Sequence, residues 1–306
     1  MRAIKYEKYG PPEVLKFVEI DKPYPKDNEV LIKIYATTVH RGDSRMRSLD
    51  LPLPVWQKIM ARLFLGIRGP KRKILGMELA GIIEEVGEKV TKFKIGDQVF
   101  ASAGMDFGCY AEYKTMKEED VIALKPSNMS FEEAATVSNG GLIAYCIIQQ
   151  AKIQKGQSIL IYGASGSVGS FALQFARNLG AIVTTVSSSS NLGLLKNLGA
   201  NKVLDYAKKD FYEDIEPFDI VFDAVGKLDS SIRKSILKIN GKYLDVHKHS
   251  EKCKLTAKNL YILKEMIETD NLKTVVDKTY SFDEIVEAHR YVDTGHKKGN
   301  VAIKII

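Results

Sequence analysis

A short apolar run, Ser158-Ile159-Leu160-Ile161-Tyr162, is followed by Gly163-Ala164-Ser165-Gly166-Ser167-Val168-Gly169 and then by a helical stretch over 170–179. The G-x-x-G-x-x-G spacing suits phosphate chemistry. Gly163 and Gly166 permit a tight bend and let backbone approach a pyrophosphate, while Gly169 lets the helix sit close to the strand. Free N–H groups at the helix start, together with the helix dipole, attract the phosphates. Glycine triplets also occur in purely structural turns. Its place between strand and helix, with more βα alternation after it, makes this one a dinucleotide-binding turn. The end of the next strand, Val186-Ser187-Ser188-Ser189-Ser190-Asn191, carries no carboxylate. An acidic residue there would bind a ribose 2′-OH. A hydroxyl-rich, uncharged loop does not repel a 2′-phosphate, which favours NADP(H) over NAD(H), although no arginine stands nearby to clasp that phosphate.

The elements around this turn alternate. Residues 181–187, 202–206, 219–223 and 241–246 read as strands, and 192–198 as a helix, a pattern of βαβ units and a doubly wound parallel sheet. Residues 131–150 read as a helix opened by Ser130 with Glu133 three positions on, the capping-box spacing. The front of the chain is different. Val30 to Ala36 and Leu79 to Val86 are strand-like runs closed by glycines, and residues 93–100 form a turn into a third strand, as in a small barrel or sandwich. The tail offers helices over 259–268 and 282–292 and a strand over 300–306 that could return to the front domain. The expected division is a β-rich domain over 1–124, a cofactor domain over 125–265 and a returning segment over 266–306.

Composition narrows the class. With 45% hydrophobic and 27% charged residues, the chain has the make-up of an ordinary globular protein, not a disordered or fibrous one. No run approaches the length needed to span a bilayer, and the start has no secretory signal, so a cytoplasmic location is expected. Only three cysteines occur, Cys109, Cys146 and Cys253, with no C-x-x-C pair. That spacing argues against a disulfide scaffold and a cysteine-built zinc site, and fits reduced thiols. The formal net charge of +7 is spread along the chain and reads as a solvated basic surface. Modules that bind nucleic acid are absent, so nucleic acid is not an expected partner.

Beyond these features, Gly76-Met77-Glu78-Leu79-Ala80-Gly81, Val86-Gly87, Phe93 to Val99, the glycine turn, Leu198-Gly199-Ala200, Asp205-Tyr206, Asp223 to Gly226 and Tyr291 to Val301 occur together. The combination resembles the zinc-free quinone oxidoreductase branch of the medium-chain dehydrogenase/reductase superfamily, nearly end to end. The resemblance implies a β-rich GroES-like catalytic domain, an α/β Rossmann domain, and a cleft for nicotinamide and substrate. The implied chemistry is NADPH-dependent reduction of quinones or of activated alkenes such as enones and alkenals. A non-catalytic NADPH sensor or scaffold is the rival reading.

The resemblance also assigns residues. His40 and Asp43 would face the nicotinamide, His40 as a donor to ribose or substrate or as a satisfied core histidine, Asp43 orienting the loop. Tyr145 would lie near the carboxamide or pack as a core tyrosine. Ser165, Gly166, Ser167 and Val168 would meet the pyrophosphate, Ser187 and Ser188 the 2′-phosphate, and Tyr206 the adenine end. Val225, Val246 and His247 would line the nicotinamide side. His296, Lys298, Gly299 and Asn300 would touch the cofactor from the tail. Where zinc alcohol dehydrogenases carry their ligands, this chain has His40, Met77 and Asn139, and residues 102–110 leave no room for a four-cysteine lobe. One imidazole with a thioether and an amide suits zinc poorly, so no metal is expected.

Three departures stand out. Asn191 replaces a basic residue common in relatives, Ile143 replaces a threonine, and the short stretch from Val246 to Leu255 leaves monomer and dimer both open. The stretch Leu51 to Leu65, which holds the only tryptophan, Trp56, reads as a helix packed on the front domain. The other reading is an apolar lid for a lipophilic quinone, in weak contact with a membrane surface.

Overall fold

A computed structural model of the chain describes residues 1–51, 54–208, 211–213 and 215–306. Pro52 and Leu53, part of the apolar stretch singled out above, lie outside the described residues. Strands β1 (Arg2–Lys5) and β2 (Lys16–Glu19) pair antiparallel. They are followed by β3 (Glu29–Thr38), α1 (Arg41–Ser48), α2 (Val55–Leu65), β4 (Glu78–Val86), β5 (Gln98–Ser102), β6 (Tyr113–Lys117), β7 (Val121–Leu124) and α3 (Phe131–Ala135). Then come α4 (Gly140–Ala151), β8 (Ser158–Tyr162), α5 (Ser167–Asn178), β9 (Ile182–Ser187), α6 (Leu192–Asn197), β10 (Lys202–Asp205) and β11 (Phe218–Asp223). The chain ends with α7 (Ser230–Ile236), β12 (Leu237–Asp245), α8 (Val246–Ser250), α9 (Ala257–Glu268), β13 (Val276–Ser281), α10 (Ile285–Asp293) and β14 (Asn300–Lys304).

Two compact units result: Met1–Asn139 with Thr256–Lys264 and Val276–Ile306, and Gly140–Leu255 with Glu265–Val275. In the first, the described residues form a sheet in the order β13-β14-β3-β4-β5-β7, with β6 also paired to β3. Val30, Ile32 and Ile34 alternate along β3 and meet Leu79, Ile83 and Val99 in one apolar cluster. β14, near the end of the chain, pairs antiparallel with β3, Ala302 opposite Thr38.

The second unit is a parallel sheet in the order β10-β9-β8-β11-β12 among the described residues. The chain runs outward from β8 to β10, then crosses back to β11 on the other side of β8. That reversal is a topological switch point, where ligands bind beyond the carboxyl ends of the strands. Leu160, Val186 and Val221, one from each of three neighbouring strands, share a core cluster. The fold is therefore a doubly wound parallel sheet plus a β-rich unit, in keeping with the α/β Rossmann and GroES-like domains that the resemblance implies.

Four expectations are corrected. The helix over 131–150 is two helices, α3 and α4, because Ser138 and Asn139 turn to a buried carboxylate instead of continuing the helical ladder. The capping box at Ser130 and Glu133 is present. β12 starts at Leu237, four residues before the expected Gly241, and its register against β11 shifts between Phe218 and Ile220, a bulge. Cys146 and Cys253 are joined in a disulfide spanning 107 residues, with Cα atoms 5.8 Å apart. Their distance in sequence concealed a proximity that α4 and α8 create. Finally, α2 buries no residue fully, and its apolar side faces outward instead of packing on the front domain as expected. Among the described residues, no helix is long and apolar enough to cross a membrane.

Candidate functional site

In the first unit the centre is Glu78, at the start of β4 and only 1% exposed. Thr38 Oγ1 donates to its Oε1 (2.5 Å), and the Asn139 backbone N–H donates to its Oε2 (2.8 Å). Ser138 Oγ, which donates to the Ala101 carbonyl, lies 3.3 Å from the same Oε2. Burial pushes the Glu78 carboxyl above the usual carboxylate range, while His40 and these donors pull it back. His40 caps α1: its Nδ1 accepts from Gly42 N (2.9 Å) while its backbone N–H donates to Asp43 Oδ2 (3.1 Å). His40 Nε2 lies 2.7 Å from Asn139 Nδ2. Asp43 is fully buried and accepts from Gly76 N at 3.2 Å, so it ties α1 to the segment that delivers Glu78. Burial raises its carboxyl too.

The tail of this unit contributes Lys297, whose Nζ donates to the Gly299 carbonyl. Burial pushes its ammonium down to about 8, against the carboxylates of Glu78 and Asp277, which hold it up. Asp277 Oδ2 accepts from Lys298 N (2.9 Å) and Tyr291 Oη (2.6 Å) and so fixes the turn before β14. His296 is exposed, while Gly299 and Asn300 are buried.

In the second unit, the glycine turn is shaped by contact. A Cβ on Gly163 (φ +76°) would lie 2.2 Å from Val225 Cγ2, and one on Gly169 would lie 2.4 Å from the Gly163 carbonyl. Gly166 is the N-cap of α5, and no side chain caps that helix, so its first N–H groups are available to a ligand. Beside it, Ser187 Oγ donates to Ser165 Oγ (2.9 Å), and Asn191 Nδ2 donates to Ser187 Oγ and Ser188 Oγ (both 3.0 Å). Asn191 Oδ1 is buried with no hydrogen-bond partner among the described residues. Asp223 ends β11 and accepts from Val225 N, Gly226 N and Leu228 N, which sets the loop facing the glycine turn. Asp245 likewise caps α8 through His247 N and Lys248 N, and the His247 ring packs on Gly226. Tyr206 is half-exposed beside Ser187, to whose carbonyl its N–H donates (3.2 Å). Tyr145, half-buried, packs edge-to-face on Phe175 at 5.5 Å.

A dinucleotide fits these features: a cradle that admits no Cβ, an uncapped helix start and a buried orphan oxygen at the neighbouring strand end. Zinc does not fit. Both nitrogens of His40 and both oxygens of Glu78 are taken by protein donors and acceptors, and the remaining candidates at the ligand places are an amide and a thioether.

A family model described as "Alcohol dehydrogenase GroES-like domain" matches residues 26–158, and models described as "Zinc-binding dehydrogenase" match 167–265 and 253–303. The chain is 32% identical to 2-methylene-furan-3-one reductase of Solanum lycopersicum, over 99% of this chain and 79% of that protein. It is 30% identical to the NADPH-dependent alkenal/one oxidoreductase of Arabidopsis thaliana, with the same coverage. The solved quinone oxidoreductase of Coxiella burnetii superposes with a TM-score of 0.87 at 30% identity, covering 100% of this chain and 99% of that one. The chain is a medium-chain dehydrogenase/reductase. It belongs to the quinone oxidoreductase-like branch of that superfamily, is an oxidoreductase, and has a nicotinamide dinucleotide as its cofactor.

Glu78 lies inside the Gly76-to-Gly81 motif, where its residue type alone gives it no role. The signal is a glutamate placed directly before the apolar run Leu79–Ile83. The role of Asn139 beside Glu78 and His40, and that of Lys297 near Glu78 and Asp277, depend on partners far away in the chain.

Proposed function

We propose that this medium-chain dehydrogenase/reductase is an NADPH-dependent oxidoreductase that delivers hydride to a quinone or an activated alkene, an enone or alkenal, without a metal. The observation that carries the reading is the pairing of a glycine turn that admits no side chain with a strand end bearing hydroxyls and no carboxylate. The relatives' names, a methylene-furanone reductase and an alkenal/one oxidoreductase, support the electrophile class.

Bound NADPH would supply the hydride. The chain's own groups hold and orient. The first N–H groups of α5, with Ser165, Gly166, Ser167 and Val168, bind the pyrophosphate. Ser187 and Ser188 donate to the 2′-phosphate, Tyr206 flanks the adenine, and Val225, Val246 and His247 line the nicotinamide side. In the first unit, His40 is oriented by Gly42, Asp43 and Asn139, and on exchanging its Asn139 contact it donates to ribose or to a developing enolate or quinol oxygen. Lys298, His296, Gly299 and Asn300 contribute from the tail.

The test is NADPH oxidation by EDTA-treated protein against quinones and α,β-unsaturated carbonyls, with NADH in parallel. Chelator-insensitive turnover faster with NADPH is expected. Cofactor binding without turnover on any electrophile would replace this reading with that of an NADPH sensor.

A further inference from the structure

On a surface helix of a globular protein the apolar stripe faces the core. Helix α2 is reversed. Val55, Trp56, Ile59, Met60, Leu63 and Phe64 recur at helical spacing along one side, and each is between 49% and 77% exposed. The residues turned toward the body are Gln57, Ala61 and Leu65, half-buried at every fourth position. Ile67, just past the helix, extends the apolar side at 59% exposure.

The charge around this face is of one sign. From residue 51 to residue 77 there is no aspartate or glutamate, whereas Lys58, Arg62, Arg68, Lys71, Arg72 and Lys73 all fall in that span. Arg72 and Lys73 meet Asp106 and Glu7 in exposed ion pairs. The other four have no carboxylate within ion-pair distance among the described residues. Arg62 instead lies 5.7 Å from the Tyr9 ring and Lys71 lies 5.8 Å from the Phe64 ring. These cations therefore border the apolar side without neutralising partners.

We propose that α2 docks the protein on an anionic phospholipid surface, lying in the plane of the interface with Trp56, Ile59, Met60, Leu63 and Phe64 among the acyl chains and the cations on the headgroups. An exposed apolar side bordered by lysine and arginine, with an aromatic at the boundary, is the composition of an interfacial helix. Eleven residues span about 16 Å, too short to cross a bilayer core of about 30 Å. A second copy of the chain is a poor occupant, because it would bring the same cations face to face. An anionic surface meets both the apolar side and the charge. This proposal does not depend on the reductase reading.

The tryptophan at position 56 is the only one in the chain, so its emission reports on this helix alone. The intact protein is mixed with vesicles of phosphatidylcholine, or of phosphatidylcholine with phosphatidylglycerol, and followed by Trp56 emission and co-sedimentation. A blue shift and at least about tenfold stronger partition into the anionic vesicles is expected, weakening as salt rises. Leu63→Glu with Phe64→Glu should abolish the shift, and Arg68→Glu with Lys71→Glu should remove the preference for anionic lipid. Unchanged emission with no co-sedimentation at low salt would overturn the proposal, as would equal partition into neutral vesicles. So would a concentration-dependent dimer that shifts Trp56 emission without lipid and is lost in Leu63→Glu. None of these readouts uses NADPH or turnover, so failure here and failure of the reductase reading are separable.

Discussion

The neighbourhood of Glu78 and the neighbourhood of the glycine turn are both polar, yet they are built on opposite terms. Around Glu78 the groups satisfy one another: carboxylate oxygens accept from Thr38 and Asn139, and both His40 nitrogens are engaged. Around the glycine turn they do not. The start of α5 is uncapped, and Asn191 Oδ1 is buried without a partner. A polar cluster that closes on itself holds a conformation, because a buried polar group left unpaired is costly. One that leaves donors and acceptors open is completed by something from outside. The first region fixes the orientation of the His40 ring, and the second leaves groups open to a ligand.

This contrast can be broken at either end. The largest effect is expected from Glu78→Ala, which strands the Thr38 hydroxyl and the Asn139 N–H in a buried site. Stability should fall by about 3–5 kcal/mol, read as a drop in the midpoint of urea unfolding. A loss under 1 kcal/mol would mean that the cluster is wet and not self-closing. Gly163→Ala forces a Cβ to within 2.2 Å of Val225 Cγ2 at positive φ. It should cost about 2–3 kcal/mol of stability and weaken NADPH binding in a calorimetric titration, because the cradle itself is displaced. Ser188→Asp places a carboxylate at the end of β9 without touching the turn. NADPH affinity should fall about tenfold, about 1.4 kcal/mol, while NADH affinity holds or rises. An equal loss for both cofactors would contradict the assignment of this loop to the 2′-phosphate.

The smallest effect sharpens the first region. Burial lowers the Lys297 ammonium from 10.5 to about 8, so the folded protein binds fewer protons than the unfolded chain between those values. The stability contributed by the neutral amine is complete above pH 10.5 and is lost as pH falls through about 8. Lys297→Met should flatten that slope. It is read as the difference between variant and parent in unfolding free energy across this window, and parallel curves would show that the ammonium is solvated.

Much of this was legible in the chain. Ser158–Tyr162 is a strand with the bounds its apolar run suggested, since a parallel strand buried on both faces must be continuous and apolar. The turn after it was readable because only glycine tolerates what Gly163 and Gly169 meet. Capping at Ser130 was readable because both partners lie within one turn of helix. Interactions across long separations were not. Glu78 draws Asn139 across 61 residues, and that pull is what divides the expected helix over 131–150. The disulfide joins cysteines 107 residues apart.

The amino-acid sequence by itself determined the alternation of strands and helices, the phosphate turn and the absence of acid at the end of β9, because each depends on neighbours within a few positions. Only the tertiary structure decided which side of α2 faces outward, which carboxylate sits buried beneath His40, and that Cys146 meets Cys253. Periodicity states that a helix has an apolar side. What that side faces depends on residues far away in the chain, and pattern alone carries no record of them.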